Sequence, residues 1–427
     1  MKLRILTLLL ACLLLSACGL YNRDYASIVP FTGAGSGESG GDTREISNYN
    51  MLRSAILDLI NTHTEHAAFR FSSSYSGSVG EDLDRACQEM QYEHPLGAWA
   101  VEDIRFDVNR VVSYDVADLN ISFLKNAEEI SAVKTFSTEE ELRGHLRERL
   151  ENYATGAALR IYSAQVDEAR IQTMLEELYY EDPVSIAAEP VSTVQGYPAE
   201  GGANRIYELH IDYGDSQSSL RQMTSVLRRR VPQLCGELGA EAPLGMALAA
   251  ARLVSATITE SEDALASTAY GALVLSEAND KGAALAYEAL CTALEIPCQV
   301  VSGQRNGVEL ETHYWNLVCL EGQWYHVDVS RLASEPRQAF LVTDTALRGS
   351  YFWDTERYPA CVGPLRYPDA VAEAGTALRM GNVIQLLEMP VPGAALPPDM
   401  EQSSPVREVP QQEQIWPTVS SASDLSN

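Results

Sequence analysis

His313-Tyr314-Trp315-Asn316-Leu317-Val318-Cys319-Leu320, then Glu321-Gly322, then Gln323-Trp324-Tyr325-His326-Val327-Asp328-Val329, is the stretch that decides the fold of the C-terminal half. Two runs rich in β-branched and aromatic residues flank a two-residue loop containing glycine. That is a hairpin signal, and it fixes the strand register. Leu320 then lies opposite Gln323, and counting back places Trp315 opposite Asp328. Side chains alternate along a strand, so His313, Trp315 and Leu317 share one face with Trp324, His326 and Asp328. His313 and Asp328 become diagonal neighbours, roughly 7–8 Å apart at the backbone, a gap that an imidazole and a carboxylate close. A carboxylate so placed holds the tautomer of a histidine base and stabilises its protonated form. The same pair can also close a hairpin with no catalytic role.

Working outward, Cys298 to Gly303 reads as another strand, and Ala283 to Leu294 has helix-forming composition. Asn279-Asp280 just ahead of that helix suits an N-cap. An acid there accepts orphan N–H groups and complements the helix dipole, worth roughly 0.5–2 kcal/mol.

Several motifs now stand in order: Ala269-Tyr270-Gly271-Ala272-Leu273-Val274, the helix, Ile296-Pro297-Cys298-Gln299-Val300-Val301-Ser302-Gly303, and the hairpin with His313 and Asp328. Over about 65 residues they resemble the transglutaminase-like superfamily. Downstream, Tyr351-Phe352-Trp353-Asp354 and Tyr358-Pro359-Ala360-Cys361 are similar to secreted bacterial members of that family. The resemblance implies an α+β, papain-like core, with His313 as base, Asp328 as its orienter and a nucleophilic cysteine opening the core helix.

Here the sequence departs from the pattern. Family members read Val-Cys-Glu-Gly or close to it, whereas this chain has Asn279-Asp280-Lys281-Gly282. Asp280 stands where the thiol is expected, and a carboxylate is a poor nucleophile towards an amide. Cys291 lies about 16 Å along the helix from Asp280, and Cys319 about 20 Å along the strand from His313. Cys298 fits a buried strand position, and Ser276 in the preceding loop stays open as a substitute. An Asp280–His313–Asp328 metal site also stays open, although one histidine with two carboxylates is a thin ligand set, and neither metal nor cofactor is expected. The reading is a domain that has lost catalysis and keeps Trp315 and Trp324 as cleft aromatics, unless these simply pack the hairpin. The alternative is an active hydrolase or acyltransferase with an unusual nucleophile.

The N-terminal half repeats itself. Leu52, Ile56 and Ile60 have helical spacing, and Leu142, Leu146 and Leu150 repeat it 90 residues later. Ala68-Phe69-Arg70-Phe71 answers Ala158-Leu159-Arg160-Ile161, and Leu119, Ile121 and Phe123 answer Leu209, Ile211 and Tyr213, at the same offset. Each unit reads helix, strand, helix, strand, an α+β module without evident chemistry. His94, which has Asp182 as its counterpart, reads as an ordinary surface residue. The expected division is 1–17 signal peptide, 18–48 flexible tether, 49–128 and 129–235 the two repeats, 236–366 the transglutaminase-like domain, and 367–427 a largely disordered tail.

Lys2 and Arg4 precede the apolar run Ile5 to Leu15, which reads as a secretory signal and is too short to span a bilayer. Leu15-Ser16-Ala17-Cys18-Gly19 resembles a bacterial lipobox, which implies lipidation of Cys18, an extracytoplasmic location and anchoring to the cell membrane. The net charge of −28 argues against nucleic acid and against electrostatic docking to anionic lipid. Cys87, Cys235, Cys291, Cys298, Cys319 and Cys361 show no zinc-ligand spacing and leave room for one or two disulfides. The expected ligand is a peptide, a cell-wall strand or another envelope protein.

Overall fold

Leu52, Ile56 and Ile60 recur every fourth residue and are fully buried, so they pin one helix face to a sheet. The computed structural model describes residues 43–199, 202–240, 242–305 and 312–374. The Cys18 motif, the tether up to residue 42 and the tail from 375 lie outside them.

The first unit runs β1 (Arg44–Ile46), α1 (Tyr49–Asn61), β2 (His66–Phe71), α2 (Val79–Gln88), α3 (Pro95–Ala100), β3 (Val101–Val111) and β4 (Tyr114–Phe123). The second runs α4 (Ala127–Ser131), β5 (Lys134–Phe136), α5 (Glu139–Glu151), β6 (Gly156–Ile161), α6 (Glu168–Glu181), β7 (Val191–Tyr197) and β8 (Arg205–Asp212). The two sheets have one strand order, β1-β2-β4-β3 and β5-β6-β8-β7. The first pair in each is parallel and the others antiparallel. Strand β1 lies inside the expected tether, because three residues are too few to show a period. His94 is not an ordinary surface residue: its Nδ1 accepts the Leu96 amide at 3.3 Å and caps α3. Burial, with Arg160 and Arg53 nearby, lowers that ring to about 4, so it accepts as a neutral imidazole.

The remainder runs α7 (Gln217–Gly236), α8 (Pro243–Thr257), β9 (Thr259–Glu260), β10 (Glu277–Ala278), α9 (Asp280–Ala293), β11 (Cys298–Arg305), β12 (Thr312–Leu320) and β13 (Gln323–Val327). After these come α10 (Pro336–Ala339), β14 (Phe340–Val342), α11 (Asp344–Leu347), β15 (Tyr351–Phe352) and α12 (Tyr367–Ala374). Helices α7, α8 and α9 share one apolar core with β12 and β13, and the sheet order is β14-β13-β12-β11-β15. Two expected boundaries move. Helix α7 buries Leu220, Met223, Leu227, Val231 and Leu234 in this C-terminal core rather than closing the second repeat. Helix α12 falls in the expected tail, yet Ala370 and Ala374 are buried and Ala374 backs onto Gly245 of α8. The second unit's core also runs on into Ala269, Ala284, Leu285 and Val300, so α6 braces α9 and β11.

Candidate active site

Helix α9 opens on Asn279, whose side chain accepts the Gly282 amide at 3.0 Å. Gly282 is required there: a Cβ would sit 2.0 Å from the Ala266 carbonyl oxygen, and that backbone also receives the Asn279 amide at 3.0 Å. Asp280 follows as the first helical residue, held to aim across at β12. Its Oδ1 accepts the Lys281 amide at 2.8 Å, and its Oδ2 accepts the Tyr314 amide at 3.0 Å.

The hairpin register is the one read from the loop: Leu320 pairs with Gln323 and Asn316 with Val327. His313 and Asp328 meet as a result, with Nε2 and Oδ2 at 2.8 Å. The other ring nitrogen, Nδ1, lies 2.7 Å from Asp280 Oδ2. One imidazole is thus bracketed by two carboxylates, and its side chain is only 12% exposed. Burial alone would depress the ring, but hydrogen bonds to Asp280 and Asp328 overcome it and push His313 up to about 9. Burial likewise opposes the charge on Asp328, yet His313, Ser330 and Tyr351 hold it below the usual carboxylate range. Ser330 donates to Oδ1 and the Tyr351 hydroxyl to Oδ2, each at 2.6 Å, and Arg331 donates to Tyr351 at 2.7 Å. Tyr351 stood in a quoted motif without a role; no local spacing signals that β15 returns beside β11 to deliver it.

An imidazolium clamped at both nitrogens is a salt-bridged strut. It has no lone pair with which to take a proton from a nucleophile. The two carboxylates also sit on opposite ring nitrogens, so they do not converge with His313 on a single ion. Cys298 pairs with Val318, five residues along β11 from Gly303, which faces His313. That is about 16 Å away, and burial raises the Cys298 thiol far above its ordinary range. Ser276 takes a left-handed φ of 60° where the chain turns ahead of β10, and it finds no free nitrogen on His313.

Trp315 is 1% exposed and packs under the sheet with Val301, Leu317 and Tyr351, while Trp324 packs half-buried against that cluster. Trp315 is a packing residue, and the expectation that it lines an open cleft is corrected; Trp324 keeps part of its surface exposed. The even alternation that put them on the His313 face also put them under the returning segment 340–361, which the hairpin alone does not reveal. Trp315 stacks on His313, with ring centres 5.9 Å apart, and donates its indole N–H to His326 Nδ1 at 2.9 Å. Indole only donates, so His326 carries its proton on Nε2 and gives it to Asp344 Oδ1 at 2.9 Å. His326, Asp344 and Cys361 have ligand atoms within 4.8 Å of one another. A metal at Nε2 would move the ring proton to Nδ1, against the Trp315 donor, so this tautomer does not fit an ion.

Lys281, beside Asp280, is buried; its ammonium lies 2.5 Å from Glu189 Oε1 and 5.0 to 5.8 Å from the ring centres of Tyr314, Tyr180 and Tyr179. The second unit therefore grips the helix start that carries Asp280.

No curated protein matches the chain. Among solved structures, a putative cysteine protease from Cytophaga hutchinsonii is 15% identical, with 30% of this chain and 53% of that one covered and a TM-score of 0.23. A structure titled as a TGase is 9% identical, with 62% of this chain and 51% of that one covered and a TM-score of 0.21. The chain spans about half the length of each. Residues 232–329, which include Asp280, His313 and Asp328, match the model of the Transglutaminase-like superfamily, so the mixed helix-and-strand core of the C-terminal half contains a transglutaminase-like region.

Proposed function

We propose that this core is catalytically silent and that the protein is a lipid-anchored surface protein that binds a peptide, a cell-wall strand or an envelope partner. The observation carrying the silent reading is the double clamp on His313, with Asp280 at 2.7 Å in the place where a nucleophile would need the ring. Acyl transfer needs a soft nucleophile and a base free to deprotonate it. Here an acid fills the first position and has already claimed the base. The anchoring part of the reading rests on the apolar run and Cys18; two or more acyl chains, at roughly 0.8 kcal/mol per buried methylene, hold a protein on a bilayer.

The test incubates the purified protein with a glutamine-containing peptide and a primary amine, beside His313→Ala and Asp280→Cys variants. No turnover by the parent chain is expected, with measurable acyl transfer or hydrolysis gained by Asp280→Cys. Turnover by the parent that vanishes in His313→Ala overturns the silent reading and revives the active-enzyme alternative. Incorporation of an alkyne-tagged fatty acid, lost in Cys18→Ala, tests the anchor.

A further inference from the structure

Helix α7 carries Arg221, Arg228, Arg229 and Arg230 and no acid anywhere from Gln217 to Gly236, in a chain of net charge −28. Its apolar stripe is spent on the C-terminal core, and Arg230 turns inward with it at 1% exposure. Arg221, Arg228 and Arg229 are exposed. Spacings of seven and eight residues set them on one outer face, about 11–12 Å apart along the axis. Arg228 donates to Ser185 Oγ at 3.2 Å and Arg229 to Ser225 Oγ at 2.9 Å. Hydroxyls orient these guanidinium groups without neutralising them. Elsewhere arginine meets acid: Arg143 pairs with Glu177, Arg147 with Glu181 and Arg205 with Glu168. Among the described residues, Arg221 and Arg228 form no such ion pair.

The described chain ends close to this helix. Ala374, the last residue of α12, has its Cα 3.3 Å from where a Cβ on Gly245 would stand, in the first turn of α8. Gly245 follows Gly236, the end of α7, by nine residues, so Ala374 stands within about 30 Å of that helix end. Residues 375–427 continue from there. Between positions 399 and 413 they bring four carboxylates, Asp399, Glu401, Glu408 and Glu413, against one cation, Arg407. A coil of the length from Ala374 to Asp399 has an end-to-end distance of roughly 25–30 Å. That is comparable to the gap, the condition under which a tethered ligand gains most. A free polyanion must approach a molecule of its own sign and surrender its translational freedom. A segment of the same chain pays only loop closure.

We propose that the acidic segment 399–413 of this chain docks along the outer face of α7, with its carboxylates on Arg221, Arg228 and Arg229. An outside anionic partner then reaches these arginines only by displacing the chain's own tail. The docking involves neither the clamped histidine nor Cys18, so it stands or falls apart from the reading given above.

Trypsin cuts after Arg407, inside the segment, and mass spectrometry follows the initial rate at which 408–427 is released from the full chain. At about 20 mM salt, release is expected to be at least fivefold slower from the parent than from the double variant Arg221→Glu/Arg228→Glu. The gap should close at about 0.5 M salt, where exposed charges are screened. A synthetic peptide of residues 395–416 sets the unprotected rate, which the double variant should match. Should that variant fail to fold, Asp399→Asn/Glu401→Gln, altered only in the segment itself, is expected to show the same acceleration. Equal release from parent and from the variant that folds, a parent rate equal to that of the free peptide, or protection that persists at high salt overturns the proposal. So does an unprotected parent that sediments with phosphatidylglycerol vesicles through Arg221 and Arg228, which would make a lipid surface the occupant.

Discussion

Replacing Asp280 by asparagine removes one of the two negative charges on His313 while keeping an oxygen for the Tyr314 amide, which Asp280 accepts at 3.0 Å. The size of the effect follows from the ring's titration. An ordinary histidine titrates near 6.5, and His313 stands at about 9, a preference for the imidazolium of about 3 kcal/mol. Two carboxylates at 2.7 and 2.8 Å supply it against burial. Losing one should bring the midpoint down by roughly 1–2 units and cost about 1.5–3 kcal/mol of stability at pH 6. The sign of the pH dependence is fixed. Because the folded value is raised, the stabilisation is complete below about 6.5 and fades as the pH climbs through about 9. The stability gap between parent and Asp280→Asn should therefore be largest at pH 6 and shrink towards pH 10. Imidazole-resolved NMR reads the midpoint, and urea unfolding at the two pH values reads the gap. A His313 midpoint that moves by less than about 0.3 units, or a gap that does not change with pH, refutes the clamp.

Trp315→Phe keeps most of the packing but strips His326 Nδ1 of its donor; a loss of about 1–3 kcal/mol in urea unfolding is expected, and an unchanged midpoint counts against the assigned tautomer. Two glycine-to-alanine changes should move stability in opposite directions. Gly144 in α5 has open space around an added Cβ, so Gly144→Ala should stabilise by about 0.5–1 kcal/mol. Gly282→Ala drives a methyl into the Ala266 carbonyl and should lower the melting temperature by several degrees. Equal melting temperatures for the two variants would contradict the close approach at the start of α9.

Much of the site was legible because its geometry is local. A two-residue loop sets the pairing of β12 with β13, and strand alternation does the rest, so His313 and Asp328 followed from counting. Asp280 was legible as a helix start, and its contact with His313 followed from the family resemblance. The residues that the sequence did not yield come from far along the chain. Tyr351 donates to Asp328 from β15, and Asp344 orders His326 from α11; the connections that deliver them carry no period. The fate of Trp315 and Trp324 was obscured for the same reason, since alternation tells which face a side chain takes but not what later covers it. Boundaries suffered similarly. The apolar stripe of α7 is plain, yet a stripe does not say whether the sheet before it or the helices after it will bury it.

That destination of α7 matters for taking the protein apart. A fragment beginning at residue 236 would leave Leu248, Leu290 and their neighbours facing water where Leu227, Val231 and Leu234 had covered them. A cut ahead of Gln217 would still uncover Ala269, Leu285 and Val300, which the second unit shields. The second unit and the C-terminal core should accordingly melt in a single step, and a fragment cut between them at Gln217 should be less stable than the full chain.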